Sequence, residues 1–229
     1  MKILLLTVSV LLFCADGYAQ PSQWTVKAGE SIKEVLGDSS IFQYPQFIPG
    51  SVYFKDKTVS TALLNLNLVN GEMQFIDPSE DTMTITNEHL IRCIIIQTDT
   101  FYYDKVYVKL IHGNATAKLA KVVAIVLGDI QKAGGYKQAS STASIDSYSY
   151  FYNGSQFSRL TEDKIITLHK RTIYFIGDKF NHFLPAYKKN IYNLFTKQKP
   201  AIDNFIKENK IVLDKEADLI KLIDFLKKG

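Results

Sequence analysis

The sequence predicts an α+β protein, an antiparallel β-meander sheet followed by a short C-terminal helical segment packed on it. Three observations carry this. From Ser51 to about Leu127, short stretches rich in apolar and β-branched residues follow one another, several alternating with period two and separated by tight polar turns. Residues 163–176 return to the same strand character. Past Gly177 the apolar spacing changes to three and four, the repeat of a helix with one buried face.

In chain order, residues 1–19 come first and read as a cleavable export signal. Lys2 gives a positive start, Ile3 to Phe13 an apolar run, and Gly17 and Ala19 the small side chains that signal peptidase accepts, which places the cut between Ala19 and Gln20. The run is shorter than the roughly 20 apolar residues of a membrane span. No later stretch is longer, so no transmembrane helix is expected. Cys14 opens a second reading, a lipid anchor, but Phe13 stands where such a site wants a small residue. The chain is therefore expected to be exported, periplasmic or secreted. Removing the signal leaves about 210 residues and one cysteine, Cys93, so an internal disulfide is excluded and stability rests on packing. Cys93 lies in the strand-like run Leu90–Ile96 and reads as a small buried hydrophobe.

Residues 20–50 form an entry segment with one short helix. Ser31 and Glu34 have the spacing of a capping box, and Gly37 is placed to stop the turn. The β-meander domain takes residues 51–180, with eight to ten strands. Within it Leu64-Asn65-Leu66-Asn67-Leu68 presents one apolar and one polar face, and Asn70-Gly71 predicts a type I′ hairpin turn. Ala115 to Val126 is assigned to strand because Val and Ile dominate its second half. Three helices fill residues 181–229. Pro185 suits the first turn of one and Pro200 of the next, with Asn209 as its stop. Asp214 is placed to cap the last, whose buried stripe is Leu219, Leu222, Ile223 and Leu226.

The hydrophobic fraction of 46% and charged fraction of 22% are ordinary for a globular protein. The net charge of +4 is unevenly placed. Residues 186–229 hold ten Lys against six Asp and Glu, whereas residues 20–185 are balanced. A basic tail can meet an anionic surface. Its lysines are interleaved with acids and accompanied by no Arg, which fits a solvated helix face better and speaks against nucleic acid.

The stretches Val52-Tyr53-Phe54-Lys55-Asp56, Leu64-Asn65-Leu66-Asn67, Gly71-Glu72-Met73-Gln74-Phe75-Ile76 and Asp81-Thr82-Met83 resemble a group of small exported proteins of Bacteroidota. The ending Ile206-Lys207-Glu208-Asn209-Lys210, followed by Glu216-Ala217-Asp218-Leu219, is similar to theirs. The resemblance covers most of the mature chain. It implies export and a single shared architecture, and it assigns no residue a role.

Catalytic signatures are absent from the sequence. The histidines at 89, 112, 169 and 182 have no metal-ligand spacing and there is no Cys pair, so neither metal nor cofactor is expected. No Gly-x-Ser-x-Gly elbow or phosphate-cradling loop occurs. Asp77, Glu80 and Asp81 share one turn, where carboxylates are usually solvated, and they lack the alternating pattern of a calcium loop. What remains is a Tyr- and Ser-rich loop over 133–158. Tyr136, Tyr148, Tyr150, Tyr152 and Phe157 offer amphipathic rings among small residues, the chemistry of an adaptable recognition surface; the same rings could also fold back over a core edge. These residues favour an exported, non-enzymatic binding or scaffold protein whose partner is a protein or glycan of the cell envelope. Two alternatives stand beside it. One is an extracytoplasmic hydrolase built from Asp99, Asp104, His112 or His169 gathered in space. The other is a binder of anionic surfaces through the C-terminal lysines.

Overall fold

The computed structural model describes residues 22–132 and 164–226. They form one antiparallel sheet of eleven strands with the C-terminal helices packed against it, an α+β architecture. The strands are β1 (Gln23–Val26), β2 (Ile48–Phe54), β3 (Val59–Asn67), β4 (Glu72–Ile76), β5 (Thr82–Thr84), β6 (Ile91–Ile96), β7 (Asp99–Tyr103), β8 (Tyr107–Gly113), β9 (Ala117–Lys132), β10 (Lys164–Asp178) and β11 (Phe183–Pro185). Their order across the sheet is β1-β10-β9-β8-β7-β6-β2-β3-β4-β5, with β11 also paired to β10. The run from β6 to β10 is a meander of neighbours. β2 then joins β6 on its far side and continues as β2-β3-β4-β5.

The sheet bends on itself. Leu68, just past β3, accepts a hydrogen bond at 2.9 Å from the Ile125 N–H in the middle of β9, five strands away in the sheet order. Inside this curl lies the largest core, where Leu64, Leu66 and Leu68 meet Ile94, Ile96, Phe101, Ile125, Ile166 and Leu168. The strand period shows why one long strand serves several cores. On β9, Val123, Ile125 and Leu127 point into the curl. Ala117 and Leu119 lie further along and meet the helices. Ala120, Val122, Ala124 and Val126 face the other way and join Val108, Phe175 and Phe183.

The entry segment holds more than the single helix expected. It opens on β1, which pairs with the start of β10 through Trp24↔Leu168 and Val26↔Ile166. Two short helices follow, α1 (Ile32–Leu36) and α2 (Asp38–Ile41). Gly37 ends α1 at φ +67°, a backbone conformation that favours glycine, and its N–H reaches the Lys33 carbonyl. Ser31 is the N-cap residue, but its side chain makes no capping bond, so the capping box is not formed.

Other expectations shift in detail. The Asn70-Gly71 hairpin exists, but only Gly71 has positive φ, so the turn is not type I′. Residues 68–71 form a four-residue loop closed by the Gly71 N–H on the Asn67 carbonyl at 2.8 Å. Ala115 to Val126 is strand from Ala117 onward. Pro185 ends β11 instead of opening a helix; its fixed φ of about −65° suits an edge strand as well as a first helical turn. Helix α3 (Lys188–Leu194) starts after Tyr187, α4 (Lys199–Glu208) carries Pro200 in its first turn and stops at Asn209, and α5 (Glu216–Leu226) follows. It is Asp218, not Asp214, whose carboxylate takes a backbone N–H near the start of α5, that of Val212 at 3.2 Å. Leu219, Leu222, Ile223 and Leu226 are fully buried against β9 and β8. Cys93 is half-buried, and burial pushes its thiol up despite the neighbouring Arg92. Among the described residues no helix is long and apolar enough to cross a membrane.

At the junction of β10 and β11 the Phe183 ring lies against Gly177. A Cβ at Gly177 would stand 2.5 Å from the ring, which is itself buried and stacked on Tyr102 with centroids 5.7 Å apart. Gly177→Ala is therefore expected to cost about 1–2 kcal/mol through overpacking, read as a shift of the urea midpoint at constant slope.

Candidate functional site

The stretch from Gly29 to Phe47 forms an arm that lies along the end of β3. β2 begins at the Ile48↔Leu64 pair, and beyond it the preceding arm takes over the same edge. The Gln43 N–H reaches the Leu66 carbonyl at 2.9 Å, the Leu68 N–H reaches the Ile41 carbonyl at 2.7 Å, and Phe42 bridges Asn67. Between these points the backbone at 44–46 departs from strand geometry, and the Asn65 side chain fills the gap. Its Nδ2 donates to the Tyr44 carbonyl at 2.9 Å and the Gln46 carbonyl at 3.2 Å, while its Oδ1 accepts the Tyr44 N–H at 3.1 Å. One carboxamide thus stands in for a missing stretch of ladder, which a primary amide can do because it carries donors and acceptor together. The period-two alternation puts Asn65 and Asn67 on the polar face of β3. They do point away from the apolar core, but the arm covers them and both are buried.

Between the arm and the outward face of β3, β4 and β5 lies a cleft of about 890 Å³, within the usual range for small-molecule sites of roughly 300–1,000 Å³. Asn67, Asn70 and Gln74 line the sheet side, and Gln46, Phe42 and Phe47 the arm side. The register explains the grouping: Asn65 stands opposite Gln74, and Gln74 opposite Thr84, so polar side chains run across three strands on one face. Asn67 uses its Oδ1 to take the N–H groups of Val69 at 2.9 Å and Asn70 at 3.1 Å, the side-chain turn that shapes the hairpin loop. The Phe42 and Phe47 rings meet edge to face with centroids 5.2 Å apart. Charges at the cleft are few and mixed: Glu30, Lys33 and Asp38. Glu30 is turned onto the Lys27 N–H at 2.9 Å.

A second polar group lies behind the arm, on the concave face of the sheet. The Tyr44 hydroxyl donates to Asp99 Oδ2 at 2.6 Å, and Lys109 Nζ meets the same oxygen at 2.6 Å. Lys121, paired with Lys109 across β8 and β9, reaches Glu216 on α5 at 3.3 Å, and the Tyr174 hydroxyl donates to that carboxylate at 3.3 Å. These side chains separate the curl core from the helix core. Burial pushes the Asp99 carboxyl up, but hydrogen bonds from Lys109 and Tyr44 and the charges of Lys109 and Lys121 outweigh it and hold the group below its usual range. Burial, then the Asp99 carboxylate, pushes the Tyr44 hydroxyl well up. Deeper in the curl, the Tyr107 hydroxyl is buried with no hydrogen-bond partner among the described residues, and burial likewise raises it.

Tyr136, Tyr148, Tyr150, Tyr152 and Phe157 lie outside the described residues, as does the export signal with Cys14. The acids and histidines considered for hydrolysis are not brought together. Asp99 is held by Tyr44 and Lys109. Asp104 accepts the Phe183 N–H at 2.7 Å. His112 pairs with Asp224 on α5 at 2.8 Å, and the His169 ring packs against Gly128. None of the four lines the cleft. Asp77 spends one carboxylate oxygen on the Ser79 and Asp81 N–H groups of its own turn. Among the described residues no three His, Cys, Asp or Glu side chains are placed to hold a metal ion. In the C-terminal helices, Lys188 and Lys207 both close on Asp203 at 2.6 Å, and Lys221 closes on Asp218 at 2.8 Å.

Asn67, Gln74 and Gln46 were not singled out from sequence. Their traces there are two amides spaced by two on β3 and a third returning across the Asn-Gly hairpin. Compared with protein-family models, with curated proteins and with solved structures, the chain matches none.

Proposed function

We propose that this chain is an exported, non-enzymatic binding protein of the periplasm or cell envelope, and that it captures its partner in the cleft between the arm and the outward face of β3–β5. The observation that carries this reading is the cleft's lining. Neutral amides and two phenylalanine rings surround a volume suited to a small molecule or a short polymer segment. Such groups recognise and orient. Catalysis by general acid and base calls instead for titratable groups poised in the cleft with altered proton affinity. The acids with altered affinity, Asp99 among them, are engaged elsewhere in structural contacts. The pattern of residues 1–19 supports export, and so does the resemblance to exported proteins of Bacteroidota.

The test uses the full chain in its own cells. A photo-crosslinking side chain is placed at Gln46, on the cleft, and in a second strain at Lys57, in the exposed β2–β3 turn. Gln46 is expected to give a discrete adduct with an envelope component that Lys57 does not, on a mature chain beginning at Gln20. Equal labelling from both positions, or a chain retaining residues 1–19 in the cytoplasm, would overturn the proposal.

A further inference from the structure

We infer that the cleft takes an uncharged oligosaccharide, hydrogen-bonded by the Asn67, Gln74 and Gln46 amides and packed against Phe47. This rests on the binding reading above and names its ligand class. The first ground is unused hydrogen-bonding capacity. Asn67 is 8% exposed. Its Oδ1 is committed to two loop N–H groups, while its Nδ2 donates to no group among the described residues. That nitrogen is not sealed in: it keeps solvent access at the wall of the cleft, where an acceptor from outside can take the place of water. Its neighbours are held loosely. Gln74 Nε2 reaches Thr84 only at 3.4 Å, and Asn70 Nδ2 reaches Glu72 at 3.5 Å, the long limit of a hydrogen bond. Gln46 is exposed, and its side chain makes no hydrogen bond among the described residues.

The second ground is the kind of group assembled. A sugar hydroxyl both donates and accepts, and a carboxamide offers both roles from one planar group. An anionic ligand would call for clustered cations, and a cationic one for clustered carboxylates. The cleft has one lysine and two acids, one of them tied to a backbone N–H. The Phe42–Phe47 pair supplies apolar surface of the sort on which the C–H face of a pyranose packs. An extended peptide would seek an open strand edge. Along the arm side of the cleft the β3 edge is already closed by the arm's backbone and by Asn65.

Side-chain NH₂ groups of Asn and Gln give their own ¹⁵N–¹H resonances, which makes the proposal directly readable. The mature chain is titrated with maltotriose, cellotriose and chitotriose, and in parallel with tetraglycine and a heparin hexasaccharide. At least one neutral trisaccharide is expected to shift the Asn67 and Gln74 side-chain resonances saturably. Asn67→Asp keeps an oxygen for the two loop N–H groups and replaces the donor facing the cleft with a charged acceptor, and is expected to weaken binding about tenfold. Gln46→Ala, which removes an exposed side chain without a hydrogen bond among the described residues, is expected to weaken it several-fold with an unchanged Tm. Shifts of the same resonances by tetraglycine or heparin alone would overturn the saccharide class and leave the binding cleft standing. No response of those resonances to any of the five probes would overturn the saccharide class, while the binding reading then rests on the Gln46 adduct alone.

Discussion

Asn65→Leu is expected to destabilise the protein by about 3 kcal/mol and to release the arm from the sheet. The side chain is fully buried. Its loss strips the Tyr44 N–H and the Tyr44 and Gln46 carbonyls of their partners at once. Each buried polar group left unpaired costs about 1–3 kcal/mol, and the two carbonyls sit near the cleft, where water can reclaim part of that loss. For a chain of this size the fall in Tm is roughly 6–12 °C. Leucine has the same branched shape as asparagine and is no smaller, so the loss comes from the broken hydrogen bonds and not from a cavity. Amide exchange locates it. The Gln43 and Tyr44 N–H groups, bonded to Leu66 and Asn65, are expected to exchange far faster in the variant. Asn65→Asp is the complementary probe. It keeps an acceptor for the Tyr44 N–H but sets a carboxylate against two carbonyls, and should be at least as damaging. If Asn65→Leu unfolds within about 0.5 kcal/mol of the parent and exchange at residues 43 and 44 is unchanged, the arm is held by its backbone bridges and apolar contacts alone.

Asn65 also shows where legibility in the sequence stops. Alternation at Leu64, Leu66 and Leu68 announces a strand and says which side chains share a face. It cannot say what covers the other face, because that depends on a segment arriving from twenty residues upstream. The stripe Leu219–Leu226 and the stops at Gly37 and Asn209 were readable because each is a local matter of spacing or backbone freedom. β1 was not. Four residues give too little period, and the partner that makes Gln23–Val26 a strand lies at His169–Ile166 in β10. Pro185 misled because one fixed φ serves two structures. The site was harder still. Titratable residues draw attention in a sequence, and here they fold into pairs that hold elements together. The amides that line the cleft have no diagnostic spacing, and they become a group only when β3, β4 and β5 set Asn65, Gln74 and Thr84 side by side.

Asp99→Ala is the second change expected to have a large effect. It leaves Lys109 Nζ without its carboxylate and the Tyr44 hydroxyl without its acceptor. Breaking a fully buried pair costs about 3–5 kcal/mol. Here the side chains of Lys109 and Asp99 remain 24% and 23% exposed, so about 2 kcal/mol is expected. A double-mutant cycle with Asp99→Asn and Lys109→Met is expected to return a clearly favourable coupling, and additive losses would show that the pair is only adjacent. The pH dependence gives an independent check with a fixed sign. The Asp99 carboxyl is held below its ordinary value in the folded protein. Its contribution is thus fully present above the unfolded value of about 3.9 and is lost as pH falls below it. The stability gap between the parent and Asp99→Asn should therefore hold near neutral pH and close under about pH 4. Tyr44 runs the opposite way. Its hydroxyl is raised in the folded state, so its contribution is present below the unfolded value of about 10 and drains away above it. Tyr44→Phe should flatten the alkaline fall in part only, because Tyr107 is raised in the same direction by its own burial. Since Tyr44 belongs to the arm and Asp99 to β7, the same variants test whether this contact helps hold the arm over the cleft. Faster exchange at Gln43 in Asp99→Ala would show that it does, and parent-like exchange with the full loss of stability would confine its role to the curl.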